Sequence, residues 1–195
     1  ILNNWDSEEV ENIKKNNGLQ IKQKPDLSKL RFVQIDEFYP LNPKQHNSFY
    51  NYVCKYYLDG FGLSYDNALL INSDNILLFE NMNRKTVFPD NIVDLTLRFR
   101  DAENEHEKIQ QESIFLIDQW CADYEDKIRS MGGIGFFLGG IGPDGHIAFN
   151  VRGSDHNSTT RLTTTNFETQ AAAATDLGGI EISRNRLVIT IGLGT

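Results

Sequence analysis

The chain has 195 residues, of which 39% are hydrophobic and 24% charged, and its net charge at pH 7 is -8. This composition suits one soluble domain with its own core, and the acidic balance argues against a nucleic-acid-binding surface, which needs a basic face. A local basic pocket could still bind a small phosphate. No apolar run approaches the roughly 20 residues of a membrane helix, and no secretory signal is seen, so we expect a cytoplasmic protein without membrane contact.

Neither the cysteines nor the histidines indicate a disulfide scaffold or a metal site. Cys54 and Cys121 do not form a C-x-x-C pair, and no two histidines have H-x-H or H-E-x-x-H spacing. The sequence begins at Ile1 rather than at a methionine and ends at Thr195 within a pattern. We therefore interpret residues 1–195 as one domain that is a portion of a longer protein.

In chain order, the first predicted strand covers residues 31–36 (R-F-V-Q-I-D). A helix is predicted over residues 47–59, with an Asn-Ser pair at its start and a glycine at its exit. Residues 76–112 mix charged and apolar side chains and are interpreted as an insertion. Within them, the alternation over residues 95–100 would suit a short strand or hairpin arm.

A second helix is predicted over residues 113–130, because apolar side chains recur there at helical spacing and two glycines follow. Residues 135–139 and 186–192 are short apolar runs next to glycines, which is typical of strands buried on both faces. The alanine-rich residues 169–175 predict a third helix between them. This alternation favours an α/β domain with a mainly parallel sheet.

The predicted strands end in groups that can do chemistry. The first ends in Asp36-Glu37, and the second leads into a glycine-rich turn that carries Asp144 and His146. Open α/β sheets bind ligands at the carboxyl ends of their strands. An Asp-Glu pair can hold a general base, but neighbours in an extended segment point to opposite sides, so we expect one of the two to face the site. The alternative is a solvated pair that begins a loop.

The turn over residues 139–146 is the most informative segment. Its four glycines let the backbone approach a ligand, and Asp144 and His146 can share a proton-transfer task. A glycine-rich loop with an incidental histidine is the open alternative. The same glycines fit a dinucleotide-binding G-x-G-x-x-G pattern, but Pro143 interrupts it and no helix start follows.

Several of these segments resemble one enzyme family. Residues 132–150 (G-G-I-G-F-F-L-G-G-I-G-P-D-G-H-I-A-F-N) resemble the signature of the glucosamine-6-phosphate deaminases. The I-D-E-F of the first strand, the helix that ends in K-I-R-S-M-G-G and the final R-L-V-I-T-I-G-L-G-T resemble that family in the same order. The related 6-phosphogluconolactonases share the G-P-D-G-H turn but usually continue with T-A-S-L-F.

The resemblance implies a three-layer α/β/α fold with a mainly parallel, Rossmann-like sheet. It also implies a cofactor-free reaction that converts glucosamine 6-phosphate to fructose 6-phosphate and ammonia. By this likeness Asp36 would move the proton between C2 and C1, and His146, oriented by Asp144, would open the sugar ring. The residues then expected to bind substrate are Glu37, Gly140, Gly142 and Gly145.

The chain also departs from the family pattern. Val151 stands where the family has a glutamate that assists the histidine, and Thr175 falls at the position of its phosphate-binding arginine. The family's phosphate loop would precede residue 1, and a phosphate-binding lysine would follow residue 195. The positions of an anion or allosteric site carry Ser154, Arg161 and Thr164, but the lysine of that site is replaced by Thr163.

Three functions remain open at this point. The first is an amino-sugar-phosphate deaminase or isomerase, and the second is a lactonase-like or other phosphosugar enzyme. The third is a non-catalytic sugar-phosphate-binding domain, which Val151 motivates. A small sugar phosphate is the expected partner in each case, and self-association into a homo-oligomer is expected from the family.

Overall fold

The computed structural model describes residues 2–195. The helices over this range are α1 (Glu8–Asn16), α2 (Phe49–Val53), α3 (Asp59–Phe61), α4 (Arg84–Val87), α5 (Glu105–Ser130), α6 (Phe167–Leu177) and α7 (Ile180–Arg184). The strands are β1 (Phe32–Val33), β2 (Asp36–Tyr39), β3 (Ala68–Leu69), β4 (Arg161–Thr163) and β5 (Leu187–Thr190). Short 3-10 turns connect them at Leu2–Asn4, Tyr65–Asn67, Ser73–Asn75, Phe79–Asn81, Pro89–Asn91 and Leu95–Arg98, and a π-helical turn, Cys54–Leu58, joins α2 to α3.

Two small sheets organise the strands. One has the order β2-β5-β4 with both pairings antiparallel, and the other is the parallel pair β1-β3. The predicted combination of helices and strands is thus confirmed. The predicted mainly parallel sheet is not found among the described strands, where antiparallel pairing predominates. The three-layer, Rossmann-like arrangement stays a prediction.

The core lies between the sheets and the long helix α5. Every third or fourth residue of α5 is buried, as the sequence pattern predicts: Ile114, Ile117, Cys121, Tyr124 and Ile128. The hydroxyl oxygen of Tyr124 lies 2.7 Å from the carbonyl oxygen of Gln34 and 2.9 Å from that of Leu69. This one side chain therefore holds both the end of β1 and the end of β3 against the helix.

The first predicted strand, residues 31–36, is divided in two by Gln34. Its backbone N–H donates to Leu69, whereas its side-chain amide donates to the carbonyl of Asp36 and accepts from the N–H of Ile71. These bonds end the pairing with β3 and send the chain into β2, which pairs with β5 instead. The apolar pattern could not reveal this change of partner.

The prediction of a buried strand over residues 135–139 is wrong. The segment is irregular, and Phe136 and Leu138 are 82% and 69% exposed. An apolar run becomes a ladder only where another strand lies beside it, and among residues 2–195 this segment has no such partner. The nearest pairings are the isolated bridges between Ile141 and Ile147 and between Ile147 and Asn150.

The third predicted strand is confirmed in shorter form, because β5 covers residues 187–190 and is buried along its whole length. The prediction of a strand or hairpin arm over residues 95–100 is wrong. A 3-10 turn forms there instead, and Asp94 caps it. A hydrogen-bonded ion pair from Arg98 to Asp118 ties the turn to α5.

The helix predictions hold with different ends. Ser48 caps α2 as expected, but the helical path continues to Gly62, whose left-handed φ of 68° ends it. The helix predicted over residues 113–130 begins eight residues earlier, at Glu105, after an Asn104 cap. The helix predicted over residues 169–175 is α6, which is longer at both ends. None of the helices described over residues 2–195 is both long enough and apolar enough to cross a membrane.

Candidate active site

The structure brings the first strand and the glycine-rich turn to one cleft. Asp36, Gly140, Gly142 and His146 all line this cleft, whose volume is about 1190 Å³. Its remaining walls are mostly apolar, and aromatic side chains of α2 and of the segments on either side of the turn contribute to them. The convergence expected from the sequence, with a carboxylate and an imidazole on one cavity, is therefore present.

Asp36 is the first residue of β2. Burial, together with the negative charge of the neighbouring Glu37, raises the pKa of its carboxyl to about 7. A carboxylate that is poorly solvated and titrates near neutrality is suited to take up and return a proton. The side chain thus has the position and the electrostatics of a general base.

Glu37 faces the other way, as alternation along a strand requires. Its carboxylate accepts hydrogen bonds from the Ser48 hydroxyl at 2.7 Å and from the N–H groups of Tyr50 and Phe49 at 2.8 and 3.2 Å. Burial raises the pKa of Glu37, and these bonds oppose the rise. These contacts tie Glu37 to the start of α2, and the substrate contact expected from the sequence stays a prediction.

Asp144 and His146 form the centre of a hydrogen-bonded group. The Nδ1 atom of His146 lies 2.5 Å from Oδ1 of Asp144, and both side chains are nearly buried. The second oxygen of Asp144 accepts a hydrogen bond from the side-chain amide of Asn166 at 2.5 Å. Burial raises the pKa of Asp144, but the bonds from Asn166 and His146 prevail and lower it, so the group is a carboxylate beside the imidazole.

Two residues of this group escaped sequence analysis. Asn166 is the N-cap of α6, and its Oδ1 accepts from the N–H of Thr169 at 3.1 Å. The Thr169 hydroxyl lies 3.3 Å from Nδ1 of His146, and the residue is buried. The sequence could have predicted the N-cap, because Asn166 stands just before an alanine-rich helical run. No spacing in the sequence links this residue to Asp144.

The glycines of the turn differ in their roles. A Cβ atom on Gly142 would lie 2.0 Å from the imidazole of His146, whereas a Cβ on Gly140 would meet nothing within 4 Å. Gly145 has a φ of 86° and donates its N–H to the carbonyl of Gly142, which closes the turn between Asp144 and His146. Gly142 and Gly145 thus shape the turn, and Gly140 lines the cleft wall.

The remaining predicted positions lie outside this group. Arg161 donates a long hydrogen bond of 3.3 Å to Ser154, and burial lowers the pKa of its guanidinium. Thr164 is exposed at the end of β4, and Thr175 is exposed on α6. Val151 is partly buried and brings no charge to the site.

A smaller pocket of about 410 Å³ adjoins the cleft on the far side of His146. His146, Phe49, Tyr52 and Phe149 line both spaces. The imidazole ring also packs against Phe149, with the ring centres 5.7 Å apart. The histidine is thus held between a polar group on one side and an aromatic ring on the other.

Comparison with known proteins gives related sequences of one kind. The glucosamine-6-phosphate deaminase of Borreliella afzelii is 33% identical over 133 residues, which are 68% of this chain and 49% of that protein. The Aliivibrio salmonicida enzyme of the same name is 35% identical over 68% of this chain and 50% of its own length, and that of Bacteroides thetaiotaomicron is 41% identical over 49% and 35%. The chain spans about half the length of the curated relatives that it matches. No protein-family model matches it.

One solved structure shares the fold. It is described as a monomeric glucosamine-6-phosphate deaminase of the NagB superfamily, and it aligns with a TM-score of 0.58 over 95% of this chain and 58% of its own. The sequence identity of 19% limits this likeness to the fold.

Proposed function

The chain is a homologue of the glucosamine-6-phosphate deaminases, and from this premise we propose that it carries the proton-transfer groups of an amino-sugar-phosphate deaminase or isomerase. The proposed reaction takes glucosamine 6-phosphate and water to fructose 6-phosphate and ammonia. The observation that carries the proposal is the placement of Asp36 and the Asp144-linked His146 on one cleft.

The proposed chemistry begins with ring opening. His146 accepts the proton of the anomeric hydroxyl and returns a proton to the ring oxygen as the C1–O5 bond breaks. Asp144 supports this exchange because its negative charge, held by Asn166, stabilises the imidazolium that forms in between.

Asp36 then acts on the open chain. Its carboxylate removes the proton from C2 and delivers it to C1, while the aldehyde oxygen at C1 takes up a proton from the substrate's ammonium group. These transfers leave a hydroxymethyl group at C1 and an iminium group at C2. Water adds to that carbon and ammonia departs, which gives the ketose. A base with a pKa near 7 can perform both halves of this transfer, since neither the carboxylate nor the carboxylic acid is strongly disfavoured near neutral pH.

The experiment is ammonia release from glucosamine 6-phosphate by the complete protein. Asp36→Asn and His146→Gln should each lower kcat by about 10²–10⁴-fold, the usual value of a general acid or base. His156→Gln is the matched control, because His156 is exposed in a polar loop and should leave the rate unchanged. Equal rates in all three variants would refute the assigned roles.

Val151 favours a second candidate function. By sequence resemblance, Val151 stands where the related enzymes have a carboxylate. A domain that binds a sugar phosphate without turning it over would need no such group. Saturable binding of glucosamine 6-phosphate with no ammonia release would favour this function. Hydrolysis of 6-phosphogluconolactone by the same preparation would instead favour the lactonase alternative.

A further inference from the structure

A second cluster of polar side chains lies at the other end of β2 from Asp36. Tyr39 is the last residue of this strand and pairs with Leu187, which directly follows Arg186. Three residues of extended chain separate Tyr39 from Asp36, a distance of about 10 Å. The cluster is therefore distinct from the cleft, and a role for it does not depend on the proposed function.

Arg84, the first residue of α4, reaches this end of the sheet. One Nη atom donates to the hydroxyl of Ser73 at 2.7 Å and to the carboxylate of Asp74 at 3.1 Å. Ser73 in turn donates to the carbonyl of Leu41, two residues beyond Tyr39. These bonds use one Nη atom of Arg84 and leave its Nε without a hydrogen-bond partner among the described residues.

Arg186 and Tyr39 are held by the turn that follows α4. Phe88 packs its ring edge against Tyr39, with the ring centres 6.3 Å apart. The carbonyl of Phe88 accepts from Asn91, and the carbonyl of Asn91 accepts from the Arg186 guanidinium at 3.2 Å. One short segment of chain thus connects Arg84, Tyr39 and Arg186.

Three hydrogen-bond donors in this cluster are buried without a partner in residues 2–195. They are Nε of Arg84, Nε of Arg186 and the hydroxyl of Tyr39, a residue that is 1% exposed. Buried donors are nearly always satisfied in native proteins, because an unmade hydrogen bond away from water is costly. All three of these groups can donate to the same kind of acceptor.

The charge of the cluster has the sign that such an acceptor requires. Asp74 is the carboxylate that pairs with Arg84, and its side chain is 52% exposed. Arg186 forms no ion pair within the described part of the chain. Burial lowers the pKa of Arg186, and the positive charge of Arg84 acts in the same direction. Of these two partly buried cations, Arg84 pairs with a half-exposed carboxylate and Arg186 with none over residues 2–195.

We propose that Tyr39, Arg84 and Arg186 form a binding site for a small tetrahedral oxyanion of the phosphate class. An Nε–H and an Nη–H of one arginine present two parallel donors to two oxygens of such an ion. The hydroxyl of Tyr39 supplies a further donor. The side chain of Arg84 is 16% exposed, so the cluster communicates with solvent along this arginine.

The test is binding of inorganic phosphate to the complete protein. Thermal unfolding and calorimetric titration measure this binding. Phosphate should raise Tm saturably above the value in NaCl of equal ionic strength, because a ligand of the folded state stabilises it. Arg84→Gln and Arg186→Gln should each weaken the Kd about tenfold or more, since each removes a charge-assisted pair of hydrogen bonds. Arg152→Gln, at an exposed loop position, is the control and should keep the wild-type Kd.

Tyr39→Phe keeps the proposal testable if an arginine variant does not fold. It deletes one buried hydroxyl without changing the ring that packs on Phe88. We expect unchanged Tm without phosphate and a smaller phosphate-induced rise. Absence of saturable binding, or a wild-type Kd in the Arg84, Arg186 and Tyr39 variants, would overturn the proposal.

The same titration distinguishes two sources of the ion. Glucose 6-phosphate that competes with inorganic phosphate in the wild type and loses affinity in Arg186→Gln would identify a phosphate monoester as a ligand of this cluster. Saturable binding of inorganic phosphate that glucose 6-phosphate does not displace would identify the free ion as the ligand.

Discussion

The imidazole of His146 occupies the space that a side chain on Gly142 would need. A Cβ atom there would lie 2.0 Å from the ring, and the N–H of Gly142 donates to the carbonyl of His146 at 2.9 Å. The backbone of the turn thus approaches the histidine so closely that only glycine permits the observed ring position.

Gly142→Ala should therefore displace the imidazole from Asp144. We expect a fall in kcat of about tenfold or more, as for other losses of alignment of a catalytic group. Gly60→Ala is the matched control, because Gly60 does not line the cleft and its Cβ would make only an ordinary contact of 3.5 Å with the Lys55 carbonyl. Steady-state kinetics of the two variants check the prediction, and equal kcat values would contradict it.

Asn166→Asp separates the two functions of Asn166. The new carboxylate still accepts from the N–H of Thr169 and preserves the cap of α6, but it cannot donate to Asp144. A second negative charge beside Asp144 raises the pKa of that residue. We expect Tm to remain near the wild-type value and kcat/KM to fall about tenfold, with a changed pH profile.

Asn104→Asp provides the comparison for this variant. Asn104 caps α5 in the same way, by accepting from the N–H of Glu107 at 2.9 Å, and it lies far along the chain from the turn. If Asn166 only caps its helix, Asn166→Asp and Asn104→Asp should have the same kcat/KM. That result would refute the role of Asn166 in holding Asp144.

The raised pKa of Asp36 predicts opposite effects of pH on activity and stability. Below about 7 the carboxyl takes up a proton, so kcat/KM should fall about tenfold per pH unit there. In the unfolded chain the pKa of the same group is near its ordinary value of 3.8. The folded state therefore binds more protons between these two values, and the free energy of unfolding should decrease as pH rises from about 4 to about 7.

Asp36→Asn should remove this contribution to the pH dependence of unfolding, because the amide does not titrate. Denaturant unfolding of the two proteins at pH 4, 5.5 and 7 checks the prediction. A stability difference between them that does not change over this range would show that Asp36 has an ordinary pKa.

Glu37→Gln tests whether this residue supports the fold or contacts substrate. The substitution replaces one carboxylate oxygen by an NH2 group, which cannot accept hydrogen bonds from the N–H and O–H donors at the start of α2. The free energy of unfolding should therefore fall by about 1–3 kcal/mol. KM should change little, because the side chain points away from the cleft. Glu168→Gln, on the exposed side of α6, should leave Tm unchanged. A normal Tm with a greatly raised KM would favour the substrate contact instead.

The sequence predicted those elements whose signals are local. The spacing of Ile117, Cys121, Tyr124 and Ile128 predicted the buried face of α5, and the short apolar run before the final glycines predicted β5. The alternation rule also predicted that Asp36 and Glu37 would face opposite sides. Each of these signals depends on residues within a few positions of one another.

The features that sequence could not provide depend on distant partners. Gln34 ends β1 through bonds to Ile71, Leu69 and Tyr124, which no local pattern encodes. The 135–139 run has strand composition but no strand beside it. Asn166 reads as a helix cap, and only the fold shows that its other amide atom holds Asp144.

The ladder between β2 and β5 also decides which of two adjacent acids faces the cleft. Asp36 is opposite Thr190 and Glu37 is opposite Ile189. A slip of one residue in this register would exchange the two orientations, turning Glu37 to the cleft and Asp36 to the start of α2. The choice of the proposed base is thus encoded in backbone pairing, and we expect substitutions that loosen this ladder to impair the proposed chemistry even where both carboxyl groups are intact.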